Sequence, residues 1–323
     1  MSAPTILIAS TSIDRPNYAE VMRQLEARGV KVIVYETDSI AKGSRQFNAH
    51  IDKQGVLQFT YDGQVLDPKQ IDAAWYRKPM YYGQGNSWRW LSLKDEYEAG
   101  HNTLLQALPE DIWLNSWPKM DYAQAKIPQL AAAAACGFKV PETVVSNQWA
   151  SVEALDYEQL SAKMARTSIV PSIDGKQEKI MHATKLTHAQ LPKQVSPYPA
   201  IWQPFIEKKR EWRVTVVGDK VFAAAIYTDD TAKDDWRKHQ FTSAVQFKAE
   251  DFPKEEAEKC KALLKHYGLR YGAFDFIEKP DGEIVYLEVN PNGQFKWLED
   301  DLGLPISEAI ADELLRMAED RKN

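Results

Sequence analysis

Two hydrophobic periodicities at the start of the chain predict an open α/β unit. The runs 5–9 and 30–35 are short and apolar, as expected for buried strands, and Tyr18, Val21 and Leu25 recur between them at helical spacing. A strand, a helix and a second strand in this order favour a parallel strand pair with a right-handed crossover. The first part of the chain is therefore predicted to be a layered α/β structure.

Alternating and helical patterns continue along the rest of the chain, and strands prevail in its C-terminal half. An alanine-rich stretch at 122–136 favours a helix, in which Pro128 either causes a kink or lies in the first turn. The stretch 152–160 is also predicted to be helical, and Gly218-Asp219 predicts a hairpin turn. The remaining predictions are a meander around 56–61, strands at 71–77, 143–146, 162–170, 179–186, 213–217 and 220–226, and helices at 91–108, 255–267 and 306–318.

The most informative pattern is a second hairpin that carries oxygen-bearing side chains. Two apolar runs lie on either side of Pro280-Asp281-Gly282, a typical turn sequence. Alternation places Asp275 on one face of the first strand and puts Glu288 and Asn290 on a common face of the second. Such side chains are costly in a core unless positive charge meets them. Hard oxygen ligands on adjacent strands suit Mg²⁺ bound to nucleotide phosphates, and a hairpin with a solvent-facing polar side is the alternative.

Basic residues precede this hairpin in an order that suggests a phosphate site. Glu211, Arg213 and Thr215 alternate with apolar residues and therefore share one face of a predicted strand. The segment Gln203-Pro204-Phe205-Ile206 leads from a strand into a linker whose backbone groups could read an adenine edge. A single basic residue is more often a solvated or salt-bridging side chain, so only the ordered set is specific. The set consists of Lys126, Lys163, Arg213 and Arg237.

Composition is that of an ordinary globular protein. The chain has 323 residues, enough for two or three domains, of which 44% are hydrophobic and 27% charged. A net charge of −6 gives no field that gathers nucleic acid, so no nucleic-acid partner is expected. No apolar stretch is long enough to span a bilayer, and the start of the chain lacks a signal-peptide pattern. With Cys136 and Cys260 expected as buried free thiols, a cytoplasmic protein without membrane contact is predicted.

The order of these residues resembles that of the ATP-grasp superfamily of carboxylate–amine ligases, over roughly residues 117–318. The resemblance implies ATP and two Mg²⁺ ions as cofactors. It also implies a helix lysine and a strand lysine on the phosphates, a hinge segment on the adenine, and carboxylate and amide ligands on the metals. By position it assigns Lys126, Lys163, Gln203, Phe205, Ile206 and Glu211 to nucleotide binding, Arg213 and Arg237 to catalysis, and Asp275, Glu288 and Asn290 to the metal ions.

Longer motifs resemble one branch of the superfamily, the ligases that macrocyclise ribosomally made peptides (the microviridin-type, or graspetide, maturases). These motifs are Trp75-Tyr76-Arg77, Asp235-Trp236-Arg237, and the runs from Glu211 to Gly218 and from Asn290 to Glu299. The fold implied is α/β (α+β), an ATP-grasp fold with an N-terminal Rossmann-like pre-ATP-grasp domain. The implied domains are 1–116 (pre-ATP-grasp), 117–205 (central ATP-grasp subdomain) and 206–323 (C-terminal subdomain with the metal site).

The resemblance also implies a reaction and a partner. An Asp or Glu carboxylate of a precursor peptide becomes an acyl phosphate, and a Thr, Ser or Lys side chain of the same peptide attacks it to give an ester or amide. A leader segment of the precursor would dock away from the chemistry, and 229–252 is either its docking element or an ordinary surface insertion. Relatives are commonly dimers, so a homodimer is expected.

One stretch departs from the family pattern. Many ATP-grasp enzymes close a glycine-rich flap over the phosphates, whereas 166–179 contains only Gly175. Fewer backbone NH groups can then approach a phosphate closely. Either Ser168, Ser172 and Lys176 substitute for them, or the flap orders only with substrate.

Other functions remain open at the level of sequence. A ligase that adds a free amino acid to a peptide or protein terminus, as glutathione-synthetase and ribosomal-protein-modifying relatives do, would use the same site. A catalytically silent nucleotide-binding module should have lost a metal ligand or a phosphate lysine, and this chain keeps all of them. A Rossmann-type dehydrogenase is disfavoured because Gly83-Gln84-Gly85 lacks the third glycine. The aromatic and basic residues between Trp75 and Trp90 could form a single-strand nucleic-acid platform, but the acidic chain favours core packing and a peptide-facing surface.

Overall fold

The structure is a computed structural model that describes residues 3–79, 88–163, 169–171, 178–180, 184–190, 199–231, 236–238 and 242–322. Its strands are β1 (Thr5–Ser10), β2 (Lys31–Glu36), β3 (Phe47–Ile51), β4 (Leu57–Tyr61), β5 (Gln64–Leu66), β6 (Ala73–Tyr76), β7 (Val144–Ser146), β8 (Gln159–Lys163), β9 (Ile169–Pro171), β10 (Glu178–Ile180), β11 (Thr184–Thr187), β12 (Ala200–Pro204), β13 (Arg210–Val217), β14 (Lys220–Thr228), β15 (Val245–Ala249), β16 (Tyr271–Glu278) and β17 (Ile284–Asn290). Its α-helices are α1 (Arg15–Glu26), α2 (Thr37–Ala41), α3 (Trp88–Ala107), α4 (Trp117–Ala123), α5 (Lys126–Ala135), α6 (Trp149–Glu153), α7 (Lys254–Tyr267), α8 (Lys296–Leu302) and α9 (Ile306–Lys322). Among the helices in the described ranges, none combines the length and apolar character needed to cross a bilayer.

Internal contacts divide the chain into two units, each of which is described by itself. The first unit contains Met1–Met120, Gly268–Tyr271 and Asn292–Asn323, and the second contains Asp121–Tyr267 and Gly272–Pro291. The terminal helices α8 and α9 therefore belong to the first unit, although they follow the last strand of the second. The three domains that the resemblance implies remain a prediction.

The first unit contains the α/β layer that the early periodicity predicts. Strand β1 lies between β2 and β6 and pairs in parallel with both. The helical spacing of Tyr18, Val21 and Leu25 is confirmed, because all three are the buried residues of α1. Strands β3, β4 and β5 form an antiparallel meander whose inward face joins the same core. Central parallel strands are covered on both faces, which explains the continuous apolar run of β1.

The second unit contains two sheets that matter for the site. The smaller has the strand order β11-β8-β12-β7, and one of its faces packs Leu160 and Trp202 onto Val152 and Leu155. The larger has the order β15-β14-β13-β16-β17, and its hairpins β13–β14 and β16–β17 are those that the turn sequences predict.

Helix α7 approaches the larger sheet closely at a glycine. A Cβ atom on Gly272 would lie 2.7 Å from Leu264 Cδ2 and 2.9 Å from Val289 Cγ2, closer than real Cβ atoms come to their neighbours. Glycine at this position therefore lets the helix and two strands pack without a gap.

Two predicted helices differ from the structure. The helix over 152–160 is wrong, because α6 ends at Glu153 and Leu160 pairs with β11 and β12 within the sheet. Strand pairing on both sides outweighs local propensity here. The alanine-rich stretch forms two helices, α4 and α5, and Pro128 lies in the first turn of α5, where its missing N–H breaks no intrahelical bond. Of the two thiols, Cys260 is buried and Cys136 is half-buried.

Candidate active site

The hairpin β16–β17 places its two acidic residues directly across from each other. Asp275 pairs in register with Glu288, and a bulge follows between Asp275 and Phe276. Side chains that face each other across strands have Cβ atoms about 5 Å apart. The rings of Phe274 and Phe276 stack at 6.0 Å on the other face, as alternation predicts. Asp275 is buried, Glu288 is half-buried, and Asn290, two residues further along the strand, is exposed.

Two arginines hold the carboxylate of Asp275. Arg213 Nη1 donates to Oδ1 at 3.0 Å, and Arg237 Nη2 donates to Oδ2 at 3.1 Å. Arg213 comes from β13, which neighbours β16 in the sheet, whereas Arg237 comes from a single 3-10 turn over Trp236–Lys238. Both arginines predicted for catalysis therefore meet at one predicted metal ligand.

Lys126 holds the second carboxylate. Its Nζ lies 3.1 Å from Glu288 Oε2, and it is the first residue of α5. Burial alone would raise the pKa of Glu288, but the charges of Lys126 and Lys163, followed by that of Arg237, outweigh it and hold this pKa well below its usual range. The carboxyl group therefore stays ionised among positive charges.

Lys163, the last residue of β8, adds a basic side chain from the smaller sheet. Burial lowers the pKa of Lys163, and the charges of Glu288 and Asp275 act against this shift. Ser161 and Lys163 alternate with Leu160 and Ala162, which belong to the apolar core on the opposite face. The polar face of β8 is therefore the one that carries the lysine.

Among the described residues, four basic side chains surround two carboxylates. Lys126, Arg213 and Arg237 form ion pairs with Asp275 or Glu288, and Lys163 interacts electrostatically with both carboxylates. Lysine and arginine side chains gathered in this way suit a polyanion such as a nucleotide polyphosphate.

The predicted hinge residues follow at the end of β12. The side chain of Gln203 is buried and donates to Thr143 Oγ1 at 2.9 Å, so it packs within the unit. The backbone N–H of Phe205 donates to Gln159 O at 2.9 Å, and Ile206 is half-buried. The amide group of Phe205 is therefore engaged by the neighbouring strand.

Glu211 lies on the same face of β13 as Arg213 but has its own partner. It forms a buried ion pair with Lys208, and the side chains of both residues are less than a tenth exposed. Burial raises the pKa of Glu211, while Lys208 acts in the opposite direction. The structure thus places a short-range ion pair at one predicted nucleotide-binding position.

A cavity of about 600 Å³ lies beside this hinge. It is lined by Tyr157, Glu158, Gln159, Lys185, Phe205, Glu207, Lys208 and Asp230. The ammonium of Lys185 lies 4.2 Å from the centre of the Phe205 ring, a cation–π contact. Gln159 and Lys163 point to the same face of β8, about 13 Å apart along the strand at the usual rise per residue. One strand face therefore connects the cavity with the cationic cluster.

The donor set of the hairpin fits a hard divalent cation. Two carboxylates that face each other and an amide oxygen two residues along one strand are ligands that Mg²⁺ accepts. Within the described residues there is no group of three or more His, Cys, Asp or Glu side chains that could hold a metal.

Three residues of the site escape sequence reasoning. Lys185 and Lys208 line the cavity, and Gln129 forms hydrogen bonds to the backbone of β17. A polar residue on the apolar side of an alanine-rich helix was a usable signal for Gln129, because buried amides need partners. The two lysines carry no comparable signal, since exposed lysines are common.

Some predicted features lie outside the described residues. These are Ser168, Ser172, Gly175 and Lys176 of the flap, Asp235, and the aromatic residues Tyr81 and Tyr82. The candidate docking element 229–252 is described only in part.

The N-terminal part of the chain matches a known protein family. The family model described as the MvdD pre-ATP-grasp domain matches residues 5–121. Comparison with curated protein sequences gave no significant match.

Solved structures match nearly the whole chain. The macrocyclase MdnC from Microcystis aeruginosa MRC, bound with precursor peptide MdnA, is 27% identical, with 96% of this chain and 99% of that chain covered and a TM-score of 0.83. A Chryseobacterium gregarium RiPP-associated ATP-grasp ligase, in complex with ADP and a leader and core peptide, is 26% identical over 97% of each chain, with a TM-score of 0.84. The macrocyclase MdnB from Microcystis aeruginosa MRC is 26% identical, with coverage of 97% and 99% and a TM-score of 0.74.

These similarities confirm the α/β ATP-grasp fold with an N-terminal pre-ATP-grasp domain. They also agree with the motifs that resemble the graspetide maturases. The chain contains an MvdD-type pre-ATP-grasp domain at residues 5–121 and is similar over nearly its whole length to ATP-grasp ligases that act on precursor peptides, two of which are macrocyclases.

Proposed function

We propose that this chain uses ATP and Mg²⁺ to activate Asp or Glu side-chain carboxylates of a ribosomally made precursor peptide and to cross-link them within that peptide. The carboxylate attacks the γ-phosphorus of ATP, which gives an acyl phosphate and ADP. A Thr or Ser hydroxyl or a Lys amine then attacks the acyl carbon, loses its proton and displaces phosphate. Similarity to a macrocyclase bound with its precursor and to a ligase bound with ADP, leader and core supports this reaction.

One observation carries the proposal most directly. Cations from a helix, from both sheets and from a 3-10 turn converge on two carboxylates that face each other across one hairpin. An acid substrate and a nucleotide are both anionic, so a site that joins them must neutralise both. The four basic side chains of this cluster supply positive charge for both ligands.

The side chains divide into three roles. Lys126 and Lys163 are point charges that suit the nucleotide phosphates, whereas the planar forks of Arg213 and Arg237 suit an acceptor carboxylate or the transferring phosphoryl group. Asp275, Glu288 and Asn290 would hold two Mg²⁺ ions. Ions held there would supply positive charge against the negative charge that develops during phosphoryl transfer. The cavity at Phe205 and Lys208, together with Gln203, Ile206 and Glu211, would take the nucleoside.

The test is a mass measurement on the peptide product. The protein is incubated with ATP, Mg²⁺ and the leader-bearing peptide encoded beside its gene, whose tail should contain Thr, Ser or Lys with Asp or Glu. Each cross-link should lower the peptide mass by one water and release one ADP. A gain of one amino-acid residue would instead support a ligase of the glutathione-synthetase kind. ADP release without any change in the peptide would exclude both reactions for that peptide.

Assembly and location complete the proposal. We expect a homodimer in solution and a cytoplasmic location, with a leader segment of the precursor as the bound partner. Sedimentation equilibrium of the purified chain tests the first expectation, since a monomer at every concentration contradicts it.

A further inference from the structure

A buried glutamine connects helix α5 to the strand that carries two proposed metal ligands. Gln129 is 2% exposed. Its Nε2 donates to Val289 O at 2.8 Å, and its Oε1 accepts from Val289 N at 2.9 Å. One side-chain amide thus binds both backbone groups of one strand residue.

All the hydrogen-bonding capacity of this amide is used. Nε2 also donates to Ala123 O at 2.6 Å, and Oε1 also accepts from Tyr286 Oη at 2.8 Å. A side-chain amide has two donor hydrogens and two acceptor positions, so the four bonds saturate it. Reversing the amide would put donor against donor and acceptor against acceptor, which fixes its orientation.

The reason for this arrangement is the open edge of the sheet. In the described part of the chain, β17 stands at the end of the strand order, so its outward backbone groups need partners. Lys139 O covers the edge at Tyr286, where it accepts the backbone N–H at 2.8 Å. At Val289 the Gln129 amide takes the place of a neighbouring strand, because it offers the same donor and acceptor as a peptide group.

This contact lies at a position that matters for chemistry. Val289 stands between Glu288 and Asn290, and Lys126, which binds Glu288, is three residues before Gln129 on the same helix. The distance along the helix axis is about 4.5 Å. The amide therefore sets the offset between the lysine and the strand that carries both proposed ligands.

We propose that Gln129 is a positioning residue, which holds Glu288 and Asn290 in the orientation that binds Mg²⁺ together with a nucleotide. The proposal rests on the proposed function, because it requires that this hairpin binds Mg²⁺. Removing groups that orient metal ligands typically weakens metal binding by about 10–100-fold. The effect should be specific to the metal and should leave metal-free nucleotide binding unchanged.

The experiment compares ADP binding in Mg²⁺ with ADP binding in EDTA, by isothermal titration of the full chain. The dissociation constant in EDTA divided by that in Mg²⁺ is called the metal-dependent gain in affinity. In Gln129→Met, which keeps the side-chain length without the amide, the gain should fall about tenfold or more. In Gln129→Asn, whose amide is one methylene too short to reach both backbone groups, the gain should also fall. If Gln129→Met does not fold, the Asn variant carries the same test.

A control variant separates positioning from stability. Leu130, the next residue of α5, is buried and apolar and makes no side-chain hydrogen bond. Leu130→Ala should lower the unfolding temperature and keep the metal-dependent gain of the wild type.

The possible failures are distinguishable. A wild-type protein with no metal-dependent gain refutes the metal site and with it the proposed function. A wild-type gain that folded Gln129 variants retain overturns the positioning role alone. The positioning role is also overturned if Leu130→Ala loses as much of the gain as the Gln129 variants do. Any weakening of the helix would then be enough to reduce metal-dependent binding.

Discussion

The buried ion pair between Asp275 and Arg213 allows a quantitative test of the site. The side chains are 9% and 11% exposed, and the contact is 3.0 Å. Removing one partner of a buried pair costs about 3–5 kcal/mol, because the other charge stays buried without compensation. Arg237 is 42% exposed, so it returns to water and adds at most about 1 kcal/mol. We expect Asp275→Ala to lose about 3 kcal/mol of folding free energy.

A second substitution should separate stability from chemistry. In Asp275→Ala with Arg213→Met, the guanidinium that lost its ion pair with Asp275 is removed as well, so most of the lost stability should return, to within about 1 kcal/mol of wild type. The measurements are denaturant unfolding without nucleotide and ADP release with it. At about 2–4 °C per kcal/mol for a unit of this size, the single variant should unfold roughly 6–12 °C lower. Neither variant should release ADP at a measurable rate.

Two results would refute this reasoning. A loss below about 1 kcal/mol in Asp275→Ala would mean that the pair is not buried as the structure has it. Near-normal ADP release by either folded variant would mean that Asp275 does not hold the metal.

Further substitutions test a proposed phosphate lysine, a close backbone contact and a paired carboxylate. Lys126→Met should raise the KM for ATP about tenfold, and a normal KM would contradict the proposed phosphate role of Lys126. The unfolding temperature should stay nearly unchanged, because the ion pair of Lys126 with Glu288 is partly exposed. Gly272→Ala should lower the free energy of unfolding by about 1–3 kcal/mol, because the added Cβ would press against Val289. As a control, Gly100→Ala, which lies in open space on a helix, should raise the free energy of unfolding by up to about 1 kcal/mol. Equal effects of the two substitutions would contradict the packing argument. Burial alone would raise the pKa of Glu278, but hydrogen bonds from basic residues lower this pKa below its usual value of 4.5. The stability that ionised Glu278 contributes is therefore complete above pH 4.5 and is lost as the pH falls through the lowered pKa. Glu278→Gln should therefore be less stable than wild type at pH 7, and unfolding curves that differ equally at pH 7 and pH 3 would exclude this origin.

The sequence determined the parts of the site that depend on local pattern. Period-2 alternation placed Glu288 and Asn290 on one face, and the turn Pro280-Asp281-Gly282 set the hairpin in which Asp275 meets Glu288. Local pattern also determined helices α1 and α7, because each buries one stripe of its own residues. These features follow from neighbours within a few positions along the chain.

Tertiary structure alone decided which distant groups meet. Leu160 belongs to a strand because β11 and β12 pair with it, and Arg213 binds Asp275 because β13 and β16 are neighbours in the larger sheet. The return of α8 and α9 to the first unit, and the amide of Gln129 on Val289, likewise leave no trace in periodicity. Hydrogen bonds and charges act over a few ångströms in space, whatever the separation in sequence, so only the folded chain reveals them.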